Sequence, residues 1–369
     1  MNLRTRKLGT LLAAGAAATL PMVTPVDAQV PAAVACGQTI TQSTVLTNDV
    51  GPCPNNGIIV GADNIVLDLA GHRVFGTAAS GDGAGILLQN RQGVTVQNGT
   101  VELFDGGVVI LGGSGNTVTR IFANNNIGAS TSNQGPPSLY GDGILIQGSS
   151  GNFIVQNSTD NNGPFSGIGI ITGDPDHPAI PPALANNNVL QANRVTNNVA
   201  CRRNGLCDND GIRIEPRAGS GCLTGNTSIC PGPGNRIVGN QVVGNGLDGI
   251  SLFGFTTGNV VSGNTVDNNG FNGAVRGDGI RVFGSGNVVQ DNSASGNAAG
   301  GISVGRRPPT AGSFPAPNPN GRNNQLLRNR AFGNGAADLW DSNRNPDCDN
   351  NVWSGNVGRV AAPPCTRNP

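Results

Sequence analysis

Lysine is almost missing from this chain. Lys7 is the single one in 369 residues, so nothing downstream supplies a lysine base, Schiff-base former or phosphate clamp. Aromatic residues make up 4%, with one tyrosine, Tyr140, and two histidines, His72 and His177. That excludes a core filled by large rings and leaves few side chains that titrate near neutrality. Neither sign of charge is in excess, the formal net charge being +0, which excludes the strongly basic surface that nucleic-acid binding requires. The eight cysteines contain no Cys-x-x-Cys spacing, so the middle four do not read as a zinc site. No stretch approaches the ~20 apolar residues of a membrane span.

What is present begins with Arg4, Arg6 and Lys7, a small apolar run from Leu8 to Leu20, and Val26 and Ala28 spaced as a signal-peptidase site. Residues 1–28 read as a cleaved secretory signal, which predicts a secreted or periplasmic protein. Beyond Ala28 the chain carries 19 arginines and 21 acidic residues, a net charge of about −2. The cysteines fall into close pairs, Cys36/Cys53, Cys201/Cys207, Cys222/Cys230 and Cys348/Cys365. In an exported chain an even count reads as disulfides, with connectivity open. The outer two pairs share one spacing and are expected to staple the two ends, each by ~3 kcal/mol of loop-closure entropy.

Between Asn152 and Asn356 an asparagine recurs every fifth residue in sets of three. The sets are Asn152/Asn157/Asn162, Asn188/Asn193/Asn198, Asn235/Asn240/Asn245, Asn259/Asn264/Asn269, Asn287/Asn292/Asn297 and Asn324/Asn329/Asn334, with Asn351/Asn356 as a remnant. Each set is paired with a Gly-Ile strand, as at Asp142, Gly167, Asp210, Asp248, Asp278 and Gly300, and less regularly at Gly85 and Gly106. In the stretch 248–269, Ile250 and Leu252 alternate with Ser251 and Phe253, then Val260-Val261 and Thr265-Val266 follow, separated by asparagine turns. Three short strands and three turns in ~22–25 residues describe one rung of a solenoid. The expected fold is an all-β, single-stranded, right-handed parallel β-helix of about 9–10 rungs, roughly 45 Å long at ~4.8 Å per rung. Its expected bounds are 61–357, with an N-terminal cap over 29–60 and a C-terminal cap or tail over 358–369. Asparagine and glycine suit the corners, where left-handed backbone and local amide bonds are needed, and asparagines in register are expected to stack.

The repeat over residues 36–365 resembles the right-handed parallel β-helix of the pectate-lyase-like superfamily, in the style of secreted bacterial β-helix proteins and the mannuronan-epimerase-like branch. Asn64-Ile-Val-Leu-Asp-Leu-Ala-Gly-His-Arg-Val-Phe-Gly resembles the first full rung of such proteins. The resemblance implies a groove that takes an extended acidic (uronate) polysaccharide, and chemistry that removes the C5 proton beside a neutralised carboxylate. Relatives use Arg, Lys or a Tyr/His pair, some with calcium held by aspartates. Here lysine is excluded, and no motif indicates calcium, so no cofactor and no metal site is expected. Asp174-Pro-Asp-His-Pro178, with Asp174 and His177, is similar to the Asp-Pro-His-Asp motif of mannuronan epimerases in a changed order. His72, in Gly71-His72-Arg73, reads as a structural turn. The Asn-Thr-Asp, Asp-Asp, Gly-His-Gly and Arg-Ile-Lys motifs of polygalacturonase-like hydrolases are absent, which puts lyase or epimerase before hydrolase.

Insertions cluster at 127–139, 199–209 and 270–277 before Gly-Ile strands, and at 173–185, 216–234 and 305–322 after them. Two such rows of loops would wall a groove whose floor is the Gly-Ile sheet. With Ile212, Ile250, Ile280 and Ile302 facing the core, strand alternation turns Arg213, Ser251, Arg281 and Ser303 outward, followed by Glu215, Phe253 and Phe283. The candidate catalytic residues are Asp210, Arg213, Asp248 and Arg281, and the candidate substrate-binding residues are Glu215, Phe253, Asp278, Phe283, Asp174 and His177. Arg213 and Arg281, two rungs or ~10 Å apart, suit carboxylates on alternate sugars. The competing expectation is a non-catalytic extracellular rod or glycan-binding protein, monomeric in either case. In that reading Arg213 pairs with Glu215 or a nearby aspartate, and the aspartates before Gly-Ile build turns.

Overall fold

The computed structural model describes residues 29–362 apart from 79–82, 129–140, 172–183, 202–208, 216–232, 255, 273–275, 306–320, 343–347 and 360. The chain winds as a right-handed parallel β-helix with three strands per rung. Ile250–Leu252, Val260–Ser262 and Thr265–Asp267 make one rung. Each pairs in parallel with its counterpart on the next, Ile280–Val282, Val288–Gln290 and Ser293–Ser295. The Gly-Ile strands form a sheet of twelve strands among the described residues. It runs from Gln38–Ile40 to Ala361–Ala362, so the ladder extends into both segments read as caps and adds rungs to the 9–10 expected. At ~4.8 Å per rung the stack is roughly 50 Å long. The other two faces are joined by Thr95–Glu102 and Thr117–Asn124, which run unbroken through both. No helix among the described residues is long and apolar enough to cross a membrane.

The interior is a set of aliphatic columns. Ile212, Ile250, Ile280 and Ile302 stand in register and fully buried, and Ile237, Val261, Val289 and Leu326 do the same on a second face. Each three-residue strand of the asparagine sets sends one side chain inward, so a rung offers room for branched aliphatics and little for rings. Low aromatic content is therefore a consequence of a thin coil, with each buried aliphatic contributing ~1.5–3 kcal/mol.

The asparagines stack as expected, and the bonding is more extensive than side chain to side chain. In the column Asn157, Asn193, Asn240, Asn264, Asn292, Asn329 and Asn356, both the backbone N–H and Nδ2 of each residue donate to Oδ1 of the next, at 2.9–3.1 Å. Nδ2 also donates to a main-chain carbonyl, as Asn193 does to Ile154 at 2.8 Å. A second column runs from Asn126 through Asn162 and Asn198 to Asn334. A third holds Asn116 to Asn235 and Asn259 to Asn351. Asn116 and Asn126 start columns one rung before the first set read from sequence. The middle corner of that rung is Ile121, whose N–H donates to Asn157.

The residue before each ladder asparagine has left-handed backbone: Gln156, Asn161, Ala192, Asn197, Gly239, Gly263, Asn268, Asp291 and Arg328 all have φ between 51° and 65°. The five-residue beat is thus a corner asparagine, a three-residue strand and a left-handed turn. At the N-terminal end Cys36 is bonded to Cys53, as expected. Cys201 and Cys348 are also disulfide-bonded; Cys207, Cys222, Cys230 and Cys365 lie outside the described residues.

Replacing Asn193 with Ala strips buried Asn157 of both acceptor contacts and Ile154 of its donor. At ~1–3 kcal/mol per unpaired buried group, unfolding in denaturant should show a loss of about 3 kcal/mol or more. Ala192 is exposed with φ 54°, so Ala192→Gly is expected to gain up to about 1 kcal/mol in the same measurement by relieving left-handed strain.

Candidate functional site

The outer face of the Gly-Ile sheet gathers ionisable side chains in three adjacent columns. Register alignment places Asp142, Ser166, Asp210, Asp248 and Asp278 in the first. Gly169, Arg213, Ser251, Arg281 and Ser303 form the second. Ile171 and Glu215 open the third, which continues through Phe253 and Phe283. Eight of the ten residues predicted for catalysis or substrate binding therefore meet on one surface. Asp174, His177 and most of the insertions expected to wall it lie outside the described residues.

The aspartates head their strands and do the work of a fourth corner. Oδ1 of Asp210 accepts the N–H of Asp248 at 2.9 Å, Oδ1 of Asp248 that of Asp278 at 2.7 Å, and Oδ1 of Asp278 that of Gly300 at 2.7 Å. This is the turn-building role considered for them, carried out by a group that also brings charge. Oδ2 faces the neighbouring column: Arg213 Nε lies 3.5 Å from Asp210 and 3.0 Å from Glu215, and Arg281 Nη1 lies 3.6 Å from Asp248. Both arginines also meet rings. Arg213 sits between Phe165 at 4.9 Å and Phe253 at 4.5 Å, and Arg281 lies 3.6 Å over Phe283, so guanidinium groups occupy the ring faces considered for sugars. Asp210, Asp248, Asp278 and Arg213 are buried, while the Arg281 side chain keeps 13% exposure. Such charges are held by mutual pairing, because burying them singly is prohibitive.

Asp142 differs from Asp210 and Asp248 in standing beside Ser166 and Gly169 where they face an arginine. Its Oδ1 accepts a short hydrogen bond from the Ser166 hydroxyl, and its buried Oδ2 makes no hydrogen bond. Burial pushes this carboxyl up to about 6, with the Ser166 bond and the Arg213 charge offsetting part of the effect. Sequence reasoning gave Asp142 only a turn role; the missed signal is that it stands two rungs before Asp210 in the same column. Elsewhere, His72 pairs with Asp49 of the preceding rung at 3.2 Å, beside the Arg73 N–H that the same carboxylate accepts, as a structural turn residue would. Among the described residues no group of three or more His, Cys, Asp or Glu side chains is placed to hold a metal ion.

Arg213→Ala removes the counter-charge from Asp210 and Glu215 in a buried setting, and unfolding in denaturant is expected to show a loss of about 3–5 kcal/mol. For Asp142 the folded state holds the proton more tightly than the unfolded chain. The stability this contributes is full below the ordinary value of 3.8 and is lost as pH rises through about 6. Asp142→Asn should therefore gain on the parent between pH 4 and 7, by an amount on the order of 3 kcal/mol, read from unfolding free energies across that range.

No protein family and no curated protein matches the sequence. Solved structures do. The A-module of Azotobacter vinelandii mannuronan C-5 epimerase AlgE4 is 14% identical, with 90% of this chain and 88% of that chain covered and a TM-score of 0.53. A mutant of the periplasmic alginate epimerase AlgG is 15% identical, with 88% and 75% covered and a TM-score of 0.51. At this identity the likeness is one of fold, and it agrees with the parallel β-helix architecture expected from the asparagine repeat.

Proposed function

We propose that this chain is an exported, monomeric, polysaccharide-modifying β-helix protein, a lyase or C5-epimerase acting on an acidic uronate polysaccharide along the outer face of the Gly-Ile sheet. The observation that carries this is the pairing of Arg213 with Asp210 and Glu215, with a second arginine two rungs on, Arg281, reaching back to Asp248 of the rung between. A repeat of ~10 Å along the solenoid matches the spacing of alternate sugars in an extended chain. Both reactions begin with loss of the C5 proton, which needs a positive charge on the neighbouring carboxylate and a base. Guanidinium supplies the first in a bidentate fork, and it is not deprotonated in proteins, so Arg213 and Arg281 are read here as substrate clamps and not bases. Epimerase activity in solved structures of the same fold supports the class of reaction by analogy.

One observation favours the second reading, a non-catalytic rod: Asp210, Asp248, Asp278 and Arg213 are buried, Arg213 pairs with Asp210, and Asp210 and Asp248 each bind the N–H of the next aspartate, as a purely structural network would.

Purified protein is to be tested against pectate, alginate and glycosaminoglycans, following absorbance of the unsaturated product and exchange of the C5 proton. Activity is expected on one uronate polymer, reduced by about 100-fold or more in Arg281→Ala on loss of a charge-stabilising contact. The half-buried Arg281 is the better probe because Arg213→Ala also weakens the fold. Absence of both activity and binding across the panel would establish the rod.

A further inference from the structure

We infer that Asp142 is the proton acceptor of this face and that Gly169 is the floor position over which the reacting sugar lies. The inference rests on the uronate reading above and adds to it the reacting end of the site.

The outward column of the Gly-Ile sheet changes character at one residue. Leu87, Val109 and Leu145 precede Gly169 in register, and Arg213, Ser251, Arg281 and Ser303 follow it. The first three belong to a small apolar cluster with Ala84, Leu111 and Ile171. Gly169 thus stands between an apolar half and a charged half, with no side chain of its own. Its backbone is not left-handed, so conformation does not demand glycine there. Clearance does: a Cβ on Gly169 would lie 2.9 Å from Oδ1 of Asp142 and 3.1 Å from Oγ of Ser166.

The carboxyl reached through that clearance is suited to accept a proton. Oδ1 is oriented by the Ser166 hydroxyl, while Oδ2 is buried and has no partner, an arrangement that native structures avoid unless the atom has a task. All the column aspartates commit Oδ1 to the next rung, Asp142 through Ser166; what sets Asp142 apart is that Asp210 and Asp248 face arginines while it faces Gly169. The charged group acting on Asp142 is Arg213, one rung beyond Ser166. Asp105 precedes Asp142 by one rung and touches its segment through main-chain bonds. A carboxyl lifted toward neutrality by burial is ionised at pH 7 yet basic enough to take a proton, which is the condition for efficient general-base catalysis.

In the step assigned to it, the C5–H bond of a uronate residue breaks and its electron pair passes into the adjoining carboxylate as an enediolate. The proton forms a bond to the Asp142 carboxylate at the Oδ1 edge that Gly169 leaves uncovered, and the added negative charge on the sugar is balanced by Arg213. Return of a proton from water to the opposite face of C5 gives the epimer; expulsion of the C4 oxygen with its bonding pair, taking up the proton then held by Asp142, gives the lyase product.

The test uses the full chain and three variants, Asp142→Asn, Asp142→Glu and Gly169→Ala. On the uronate polymer that the parent turns over, Asp142→Asn is expected to lower kcat by about 100-fold or more with KM little changed, as removal of a general base does. The acid limb of the parent pH profile, near 6, should vanish in that variant, and Asp142→Glu should restore part of the rate. Gly169→Ala, which keeps the carboxyl and crowds it, should lose rate and shift the limb. An active parent whose acid limb survives in Asp142→Asn overturns the inference and leaves the uronate reading standing. A parent inactive on every polymer overturns both. A parent whose unfolding free energy shows no proton-linked step that Asp142→Asn removes overturns the assignment of Asp142 whatever the activity.

Discussion

The fold depends on one hydrogen-bonding constraint: an asparagine at a corner can accept two donors from the rung before it while donating to the rung after it and to a main-chain carbonyl of the rung before it. A coil this thin has little interior to bury per residue, and its corners take the backbone out of the ladder at every turn. Without a side chain that closes those gaps, each corner would leave buried N–H groups unpaired, at a cost of several kcal/mol per rung. The amide columns close them with main-chain-like geometry. They also fix register, since a one-residue slip in any set would bring a strand residue into the corner and break two columns at once.

The outer face of the Gly-Ile sheet follows from the same constraint met with a different residue. Where Asp210, Asp248 and Asp278 take the corner position, one carboxylate oxygen does what the amide oxygen does elsewhere. The second oxygen has no hydrogen to give, so charge accumulates along that edge and has to be met from the adjoining column. Arg213 and Arg281 meet it. Charged chemistry on this surface is therefore an outgrowth of how the rung is closed, and the same side chains serve the coil and the candidate site.

The asparagine spacing made the architecture legible because the period is short and repeated many times. Period-two alternation likewise placed Arg213, Ser251, Arg281 and Ser303 outward, since three- to six-residue strands leave little freedom. What escaped had no constant residue type. The left-handed position before each corner holds glycine, asparagine, Gln156, Ala192, Asp291 or Arg328, so it leaves no letter pattern. The first rung of the columns was hidden by Ile121 standing where an asparagine was sought. Asp142 and Asp210 look alike in the chain, both preceding Gly-Ile, and differ only in what stands beside them: a serine and a glycine in one case, an arginine in the other. The arginine beside Asp210 is three residues on in the chain, but the serine that holds Asp142 is 24 residues away, which sequence spacing does not encode.

The columns also have a direction. Each begins on a plain backbone N–H, from Val94, Phe104 or Ile121. Two of them finish near the C-terminus on carboxylates, Asn334 on Asp338 and Asn351 on Asp341, the latter shared with the Trp353 indole. A carboxylate can receive but has nothing to pass on. Duplicated coils can thus be spliced into the middle of the stack, where every asparagine both receives and donates, whereas at Asp338 and Asp341 an amide column gives way to an acid and closes.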